Sequence, residues 1–483
     1  MSLPEYPDVP ADQWIGGRWQ PADGGNRFPV FDPATGDVLV EVADGGEPEV
    51  QAAVSAAHEA QPAWAATAPR TRGEVLRRAY ELLADEQERV ARLIVMENGK
   101  GLADARGEAR YAAEFFRWYA EEAVRLDGDL LRSPSGGNWI MSLRQPVGVA
   151  LLVTPWNFPA AMGTRKIGPA LAAGCSVVLK PASAAPLTSL AIADALHRAG
   201  APAGTVNVVV GSRSSSLVGP ALADPRVRKL SFTGSTEVGR TLLQQAAERI
   251  VNCSLELGGN APFIVTEDAD LDAAIEGAMI AKMRNGGASC IAANRFLVQE
   301  RVAAEFRDRL TSAMGGLAMG PGLDESHDVG AMVSDAERDK VADLVARGVE
   351  QGAVVQVGGA PPQRPGAFFP PTVLSDVAPD NVLLHEEVFG PVAPIRTFTS
   401  DDEAIKAAND TEHGLASYVF TGDLGRGLAL SEALESGMVG LNRGFISDPA
   451  APFGGVKQSG IGREGGHDGL LEFCETKYVA VGW

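Results

Sequence analysis

Hydrophobic positions along this chain follow two rhythms. Between residues 48 and 125 they recur at three- and four-residue steps, through Val75, Leu76, Tyr80, Leu83, Val90, Leu93 and Ile94, which predicts helices. Asn98-Gly99 reads as a helix stop. The aromatic cluster Phe115, Phe116, Trp118, Tyr119 could line a ligand pocket, but at helical spacing it reads as core. Ahead of this block, Trp14-Ile15, Phe28–Val30 and Val38–Val40 are short strand-like pieces broken by Gly and Pro. From residue 147 the rhythm changes. Val147–Val153 is an unbroken apolar run, suited to a strand buried on both faces. Strands at 176–179, 206–210 and 227–232 then alternate with helices at 160–173, 186–199, 214–222 and 235–249. That spacing predicts a parallel α/β sheet of the dinucleotide-binding kind. A second alternation, with strands at 263–265 and 296–298 and helices at 270–284 and 300–315, runs from about 251 to 440 and predicts a second α/β domain. Between the helical block and the first sheet, residues 127–146 alternate around Gly128, Gly136 and Gly137, as a β-hairpin does. The closing stretch 476–481 is one more strand, expected to pair with that hairpin, and an edge of this kind invites a second chain.

Composition narrows the function classes. The 483 residues carry 45% hydrophobic and 22% charged side chains, as ordinary globular domains do, and their length calls for more than one core. A net charge of −20 argues against nucleic acid or an anionic membrane as partner, and any anionic substrate then needs a local positive pocket. Residues 1–8 show no basic end followed by an apolar stretch, so no export signal is expected. No apolar run approaches the roughly 18–20 residues of a membrane span. The cysteines at 175, 253, 290 and 474 have no metal-binding spacing, so no metal is expected, and reduced thiols in a cytoplasm are the default.

Candidate chemistry centres on residues 284–295, where small residues and glycines precede Cys290. Such a turn can present a thiol beside a backbone N–H, as a nucleophile requires, although a free cysteine is more often an inert buried one. Other stretches follow predicted strands, where ligands of parallel sheets bind. They are Thr154-Pro155-Trp156-Asn157, Lys180-Pro181-Ala182-Ser183 and Gly234–Gly239 opening a helix; Glu256 stands before Gly258-Gly259, and Glu386-Glu387-Val388-Phe389 offers a second acid and an aromatic ring before a turn. Asn157 could donate to an oxyanion, Lys180 could bind a ribose or phosphate, and Glu256 could serve as a general base. Each also has a bland reading as a turn or surface residue.

Taken in order, and together with Pro452–Gly460, these stretches resemble the NAD(P)-dependent aldehyde dehydrogenase superfamily, from about residue 13 to the end. The resemblance implies a Rossmann-like dinucleotide-binding domain (1–126 and 147–252), an α/β catalytic domain (253–455) and a β arm for oligomerisation (127–146 and 472–483), in a homodimer or homotetramer. It also implies that Cys290 attacks an aldehyde, with Asn157 and the Cys290 N–H holding the oxyanion. Oxidation by the nicotinamide leaves a thioester, which Glu256-activated water opens. Thr154, Pro155, Trp156, Lys180, Ser183, Gly234, Ser235, Glu387 and Phe389 are the expected dinucleotide contacts. Arg165, Arg284 and Ser447 match the positions that bind the far carboxylate in succinate-semialdehyde dehydrogenases. Ser183, where NAD-preferring relatives carry a glutamate, implies NADP, with NAD possible. Two departures are visible. Ala288 stands where relatives often have Gln, and Ala292 stands where some carry a second cysteine, so no redox switch at that place is expected. Glutarate semialdehyde, an aromatic or aliphatic aldehyde, or a cofactor-free cysteine hydrolase are the alternatives.

Overall fold

Val149–Val153 is a strand with every residue buried. Its continuous apolar sequence can be satisfied only where helices cover both faces of the sheet. In the computed structural model, which describes residues 10–482, helices do so. Residues 1–9, on which the expected start of the first domain and the missing export signal rest, and Trp483 at the end of the arm, lie outside the described residues. The strands Val206–Val208, Ser176–Lys180, Val149–Val153, Val227–Thr233 and Asn252–Glu256 lie side by side and parallel. In chain order this is 3-2-1-4-5, the order of a dinucleotide-binding sheet, with its switch point between Val149–Val153 and Val227–Thr233. Antiparallel strands close both edges: Gln13–Ile15 beside Val206–Val208, and Gly460–Ile461 beside Asn252–Glu256.

The boundary at 252/253 needs correction. Strand Asn252–Glu256 pairs along its length with Val227–Thr233, so the chain changes sheet only after Glu256, at the Gly258-Gly259 turn. Alternation of strands and helices shows where strands are, but not which sheet each joins. The second sheet places Thr372–Ser375, Val392–Phe398, Ala293–Gln299, Ala261–Val265, Ala416–Phe420 and Met438–Leu441 in parallel, with Val354–Val357 antiparallel at one edge. Its core stacks Phe263, Phe296, Phe306, Tyr418 and Phe420.

The predicted helical block resolves into Glu47–Ala66, Pro69–Asp85, Gln87–Asn98 and Leu102–Glu122. Pro69 starts one of them, where its missing N–H costs nothing. Gly99, with φ of 90°, ends another at the expected stop. Phe115, Phe116 and Tyr119 are core, as their spacing predicts. The arm is a three-stranded antiparallel sheet of Asp129–Arg132, Trp139–Pro146 and Cys474–Val481, the last two in register from Pro146↔Cys474 to Trp139↔Val481. No helix among the described residues is long and apolar enough to cross a membrane.

Candidate active site

Helix Leu271–Met283 stops abruptly before the cysteine turn. Asn285, Gly286 and Gly287 then take left-handed φ values of 58°, 56° and 76°. Three such residues in a row reverse the chain within a few positions and return it into strand Ala293–Gln299. A side chain at 287 would lie 2.1 Å from the Gly390 carbonyl oxygen, so only glycine fits. The Asn285 amide locks the turn by donating to the carbonyls of Ala288 (2.8 Å) and Asn157 (2.9 Å). Cys290 emerges half-buried in a cavity whose walls include Tyr111, Phe158, Arg165, Arg284, Ser447 and Phe453.

Asn157 follows strand Val149–Val153 and reaches the same turn. One N–H of its amide donates to the Ala288 carbonyl (3.2 Å), which leaves the second free for another acceptor. Ala288 thus contributes through its backbone, and the lost Gln side chain is not part of this contact. The Asn157 carbonyl also accepts from Lys100 (2.7 Å). Lys100 is buried and paired with Glu108 (2.6 Å), whose other oxygen accepts from the backbone N–H groups of Ala160 and Ala161 (2.8 and 3.3 Å). The loop that carries Asn157 is therefore clamped by the helical block on one side and by the cysteine turn on the other. Sequence reading missed Lys100, Glu108 and Asn285. A lysine just after a helix stop looks solvated, and only the long-range contact reveals otherwise.

Glu256 is the last residue of its strand and is buried, with Oε2 lacking a hydrogen-bond partner. Burial pushes its carboxyl well above the usual range, and Glu464 adds to this, while Lys166, Arg165 and Arg463 oppose it. The turn after Glu256 packs directly on the cysteine loop: a side chain at 259 would lie 2.2 Å from the Cys290 carbonyl. Burial pushes the Cys290 thiol up to about 12, with Arg165 pulling the other way. Arg165 is thus the neighbour that favours the thiolate, the form that acts as nucleophile. Glu464, also missed from sequence, is ion-paired with Lys166 and lies 3.5 Å from Arg165.

At the far side of the cavity, Arg165 is 2% exposed. Its Nη2 donates to the Tyr111 hydroxyl (2.9 Å), and its guanidinium lies over the Phe453 ring (4.1 Å). Its Nε and Nη1 are buried with no hydrogen-bond partner. Arg284 stands 3.5 Å from the Ser447 hydroxyl, between the rings of Phe158 and Phe445. The structure therefore brings Arg165, Arg284, Ser447 and Cys290 to one cavity, although they lie far apart in the chain.

The remaining candidates gather at the carboxyl ends of the first sheet. Thr154, Pro155 and Trp156 follow the first strand, and the Trp156 ring meets Phe389 edge-on at 5.4 Å. Gly234 turns the chain out of Val227–Thr233, where a side chain would strike the Phe232 ring at 2.4 Å. Ser235 caps helix Thr236–Ala247, accepting from Val238 N–H (3.4 Å) and leaving the helix N-terminus facing the switch point. Three hydroxyls here, on Thr154, Thr233 and Thr236, are buried without partners. Lys180 is buried and donates to the Ser214 hydroxyl (2.6 Å), with no carboxylate in contact, and burial lowers it to about 8. Ser183 is half-buried three residues on. Glu387 accepts from Gly259 N–H (3.0 Å), and burial pushes it up to about 7. Unpaired hydroxyls, a free helix N-terminus and an uncompensated lysine are a donor set that fits a dinucleotide. No cluster of metal-binding side chains occurs among the described residues.

The sequence signature of the aldehyde dehydrogenase family matches residues 19–479. The chain is 52% identical over 92% of its length to succinate-semialdehyde dehydrogenase of Paenarthrobacter nicotinovorans, covering 99% of that protein. It is 47% identical to glutarate-semialdehyde dehydrogenase of Pseudomonas aeruginosa, covering 97% of each chain. A solved E. coli structure described as an NADP dependent enzyme superimposes with a TM-score of 0.97 at 47% identity, over 98% of both chains. A matching signature along nearly the whole chain, relatives of this identity and a shared fold leave one placement: the chain belongs to the aldehyde dehydrogenase family.

Proposed function

We propose that this protein oxidises a short aldehyde with a carboxylate at its far end, succinate semialdehyde to succinate, and that it uses NADP. The observation that carries the reading is that the buried guanidinium of Arg165, whose Nε makes no hydrogen bond and whose Nη1 lies 3.5 Å from a Glu464 already paired with Lys166, shares one cavity with Arg284, Ser447 and Cys290. Glu464 is one carboxylate shared by two cations, Lys166 and Arg165, so with Arg284 beside them the positive charge is in excess and suits an anion. Arg284 and Ser447 face the same space and complete a clamp for one carboxylate. The relatives that act on semialdehydes of dicarboxylic acids support this choice.

With the carboxylate held, the aldehyde carbon lies at Cys290. Cys290 gives up its proton to solvent, and the sulfur bonds to the carbon. The carbonyl oxygen becomes an oxyanion, which takes the free N–H of the Asn157 amide and the Cys290 N–H. When bound, the nicotinamide supplies the two-electron acceptor that brings the carbon to the thioester level. Glu256 then takes a proton from water as that water attacks the thioester carbon, and succinate leaves as Cys290 regains its proton. Lys180 and Ser183 would hold the adenine ribose and its 2′-phosphate, Gly234 and Ser235 the pyrophosphate, and Glu387 the nicotinamide ribose. Thr154, Pro155, Trp156 and Phe389 would flank the ring. On this reading the first sheet binds the dinucleotide, the second presents the cysteine, and the arm joins copies of the chain into a homodimer or homotetramer. Leu130, Leu131 and Tyr478 of the arm are 60%, 52% and 59% exposed, which supports the last point. Four free cysteines suit a cytoplasmic setting.

A panel of aldehydes, each assayed with NAD and with NADP by the appearance of reduced nicotinamide, tests the function. The expected result is a preference for succinate semialdehyde over butanal, its uncharged counterpart, and for NADP. A better turnover of glutarate semialdehyde would move the reading to the longer acid, and no preference for a carboxylate would contradict it. Arg165→Ala and Arg284→Ala are each expected to raise KM for succinate semialdehyde roughly ten- to hundred-fold, the worth of a charge-assisted bond, while sparing butanal. Lys180 adds a pH signature. Its cation is present below about 8 and lost above it, so the NADP-to-NAD ratio of kcat/KM should hold steady up to that pH and fall beyond it. A ratio flat through pH 9.5 or so, more than a unit past the lysine's titration, would remove Lys180 from phosphate recognition.

A further inference from the structure

We infer that Tyr111 is a specificity-determining residue for the carboxylate end of the substrate: its hydroxyl fixes Arg165 and donates a hydrogen bond to the bound carboxylate. The inference rests on the carboxylate-clamp reading above and deepens it.

Tyr111 lies on helix Leu102–Glu122, on the face it shares with Asp104, Glu108 and Phe115. These positions are spaced at four, three and four residues, one stripe of a helix. Every member of the stripe serves the site. Asp104 accepts from the backbone N–H of Asn285 (2.8 Å) in the cysteine turn. Glu108 holds Lys100 and the start of helix Ala161–Ala173. The Phe115 ring lies 5.2 Å from the Arg165 guanidinium. Tyr111 is the member that reaches the cavity itself.

Its position there is singular. The phenol oxygen accepts from Arg165 Nη2 at 2.9 Å, while the ring lies 5.7 Å from the Arg165 guanidinium and 5.6 Å from that of Arg284. Among the described residues Tyr111 is thus the aromatic ring in contact with both cations, and it lines the cavity that a carboxylate bridging them would enter. Two guanidiniums facing one small cavity repel each other when it holds no anion, and an aromatic face between them eases that repulsion. A hydroxyl that accepts one bond still has its proton to give, and this one has no acceptor among the described residues. Arg165 has Nε to give as well. An anion that enters between the arginines meets these donors together, and the phenol also holds the Arg165 fork in the orientation that presents them. An uncharged aldehyde of the same length makes none of these bonds, so the whole effect falls on discrimination between the two.

Tyr111→Phe keeps the ring and removes only the hydroxyl. The expected result is a rise of about ten-fold or more in KM for succinate semialdehyde, with kcat for that substrate and both constants for butanal little changed, since a bond to a charged group is lost only when the carboxylate is present. Unchanged constants for both substrates, or equal losses on both, would overturn the inference, the second result marking a merely structural tyrosine. Arg165→Ala measured alongside separates the two levels of argument. If Arg165→Ala loses the preference for succinate semialdehyde and Tyr111→Phe keeps it, the clamp stands and this inference fails. If the parent enzyme shows no such preference, the clamp fails first and takes the inference with it.

Discussion

Glu256→Gln should leave an enzyme that reacts once and then stalls. Steady-state turnover is expected to fall by roughly 10²–10⁴, the usual contribution of a positioned general base. A rapid burst of reduced cofactor, close to one per active site, should precede the slow phase. The burst survives because the two halves of the reaction need the carboxylate to different degrees. Water is a poor nucleophile and cannot open the thioester without a base. The sulfur is intrinsically reactive, and a carboxylate beside it works against its ionisation: Glu256 is one of the groups that raise the Cys290 thiol. Removing that charge eases thiolate formation while it abolishes deacylation. Gln fills the same buried space at the end of strand Asn252–Glu256, so the fold should hold. Rapid-mixing kinetics with succinate semialdehyde and NADP check this, and loss of the burst together with turnover would mean that Glu256 is needed first for attack.

Asn157→Ala should lower kcat by roughly 10²–10³, the measured worth of one oxyanion donor elsewhere. KM should change far less, because the second N–H of the amide is given mainly to charge that develops after attack. The same residue has a structural job through its carbonyl, which Lys100 and Asn285 hold. That job belongs to the backbone and survives the substitution. The ground-state bond from Nδ2 to Ala288 is lost, but Asn285 still donates to that carbonyl. A variant that melts with the parent and fails in kcat would fit the oxyanion role. An equal loss in stability and activity would assign Asn157 to the scaffold.

What could be read from sequence divides along physical lines. Val147–Val153 announced itself as a buried strand because nothing else hides so many adjacent apolar residues. The arm was legible because its strands alternate and its turn is built on glycines. Cys290, Asn157 and Glu256 were legible because each lies in a short stretch whose chemistry is local: a small-residue turn, a strand end, an acid before paired glycines. Contacts made across the chain were not legible. Lys100 and Glu108 look like surface charges until they are seen holding residues more than fifty positions away. Asn285 gives no sign in sequence that it adopts a left-handed backbone and ties two loops together. Tyr111 gives no sign in sequence of its bond to Arg165, fifty-four positions away. The sheet change after Glu256 escaped for the same reason, since hydrogen bonding between strands decides it and periodicity does not.

One measurement bears on the whole account: mass spectrometry of Glu256→Gln after brief exposure to succinate semialdehyde and NADP. The account predicts a gain of one succinyl group per chain, mapped to the peptide that carries Cys290, and no gain without NADP or in Cys290→Ser. An enzyme that turns over with no acyl group ever found on that cysteine, or one that carries it elsewhere, would contradict it.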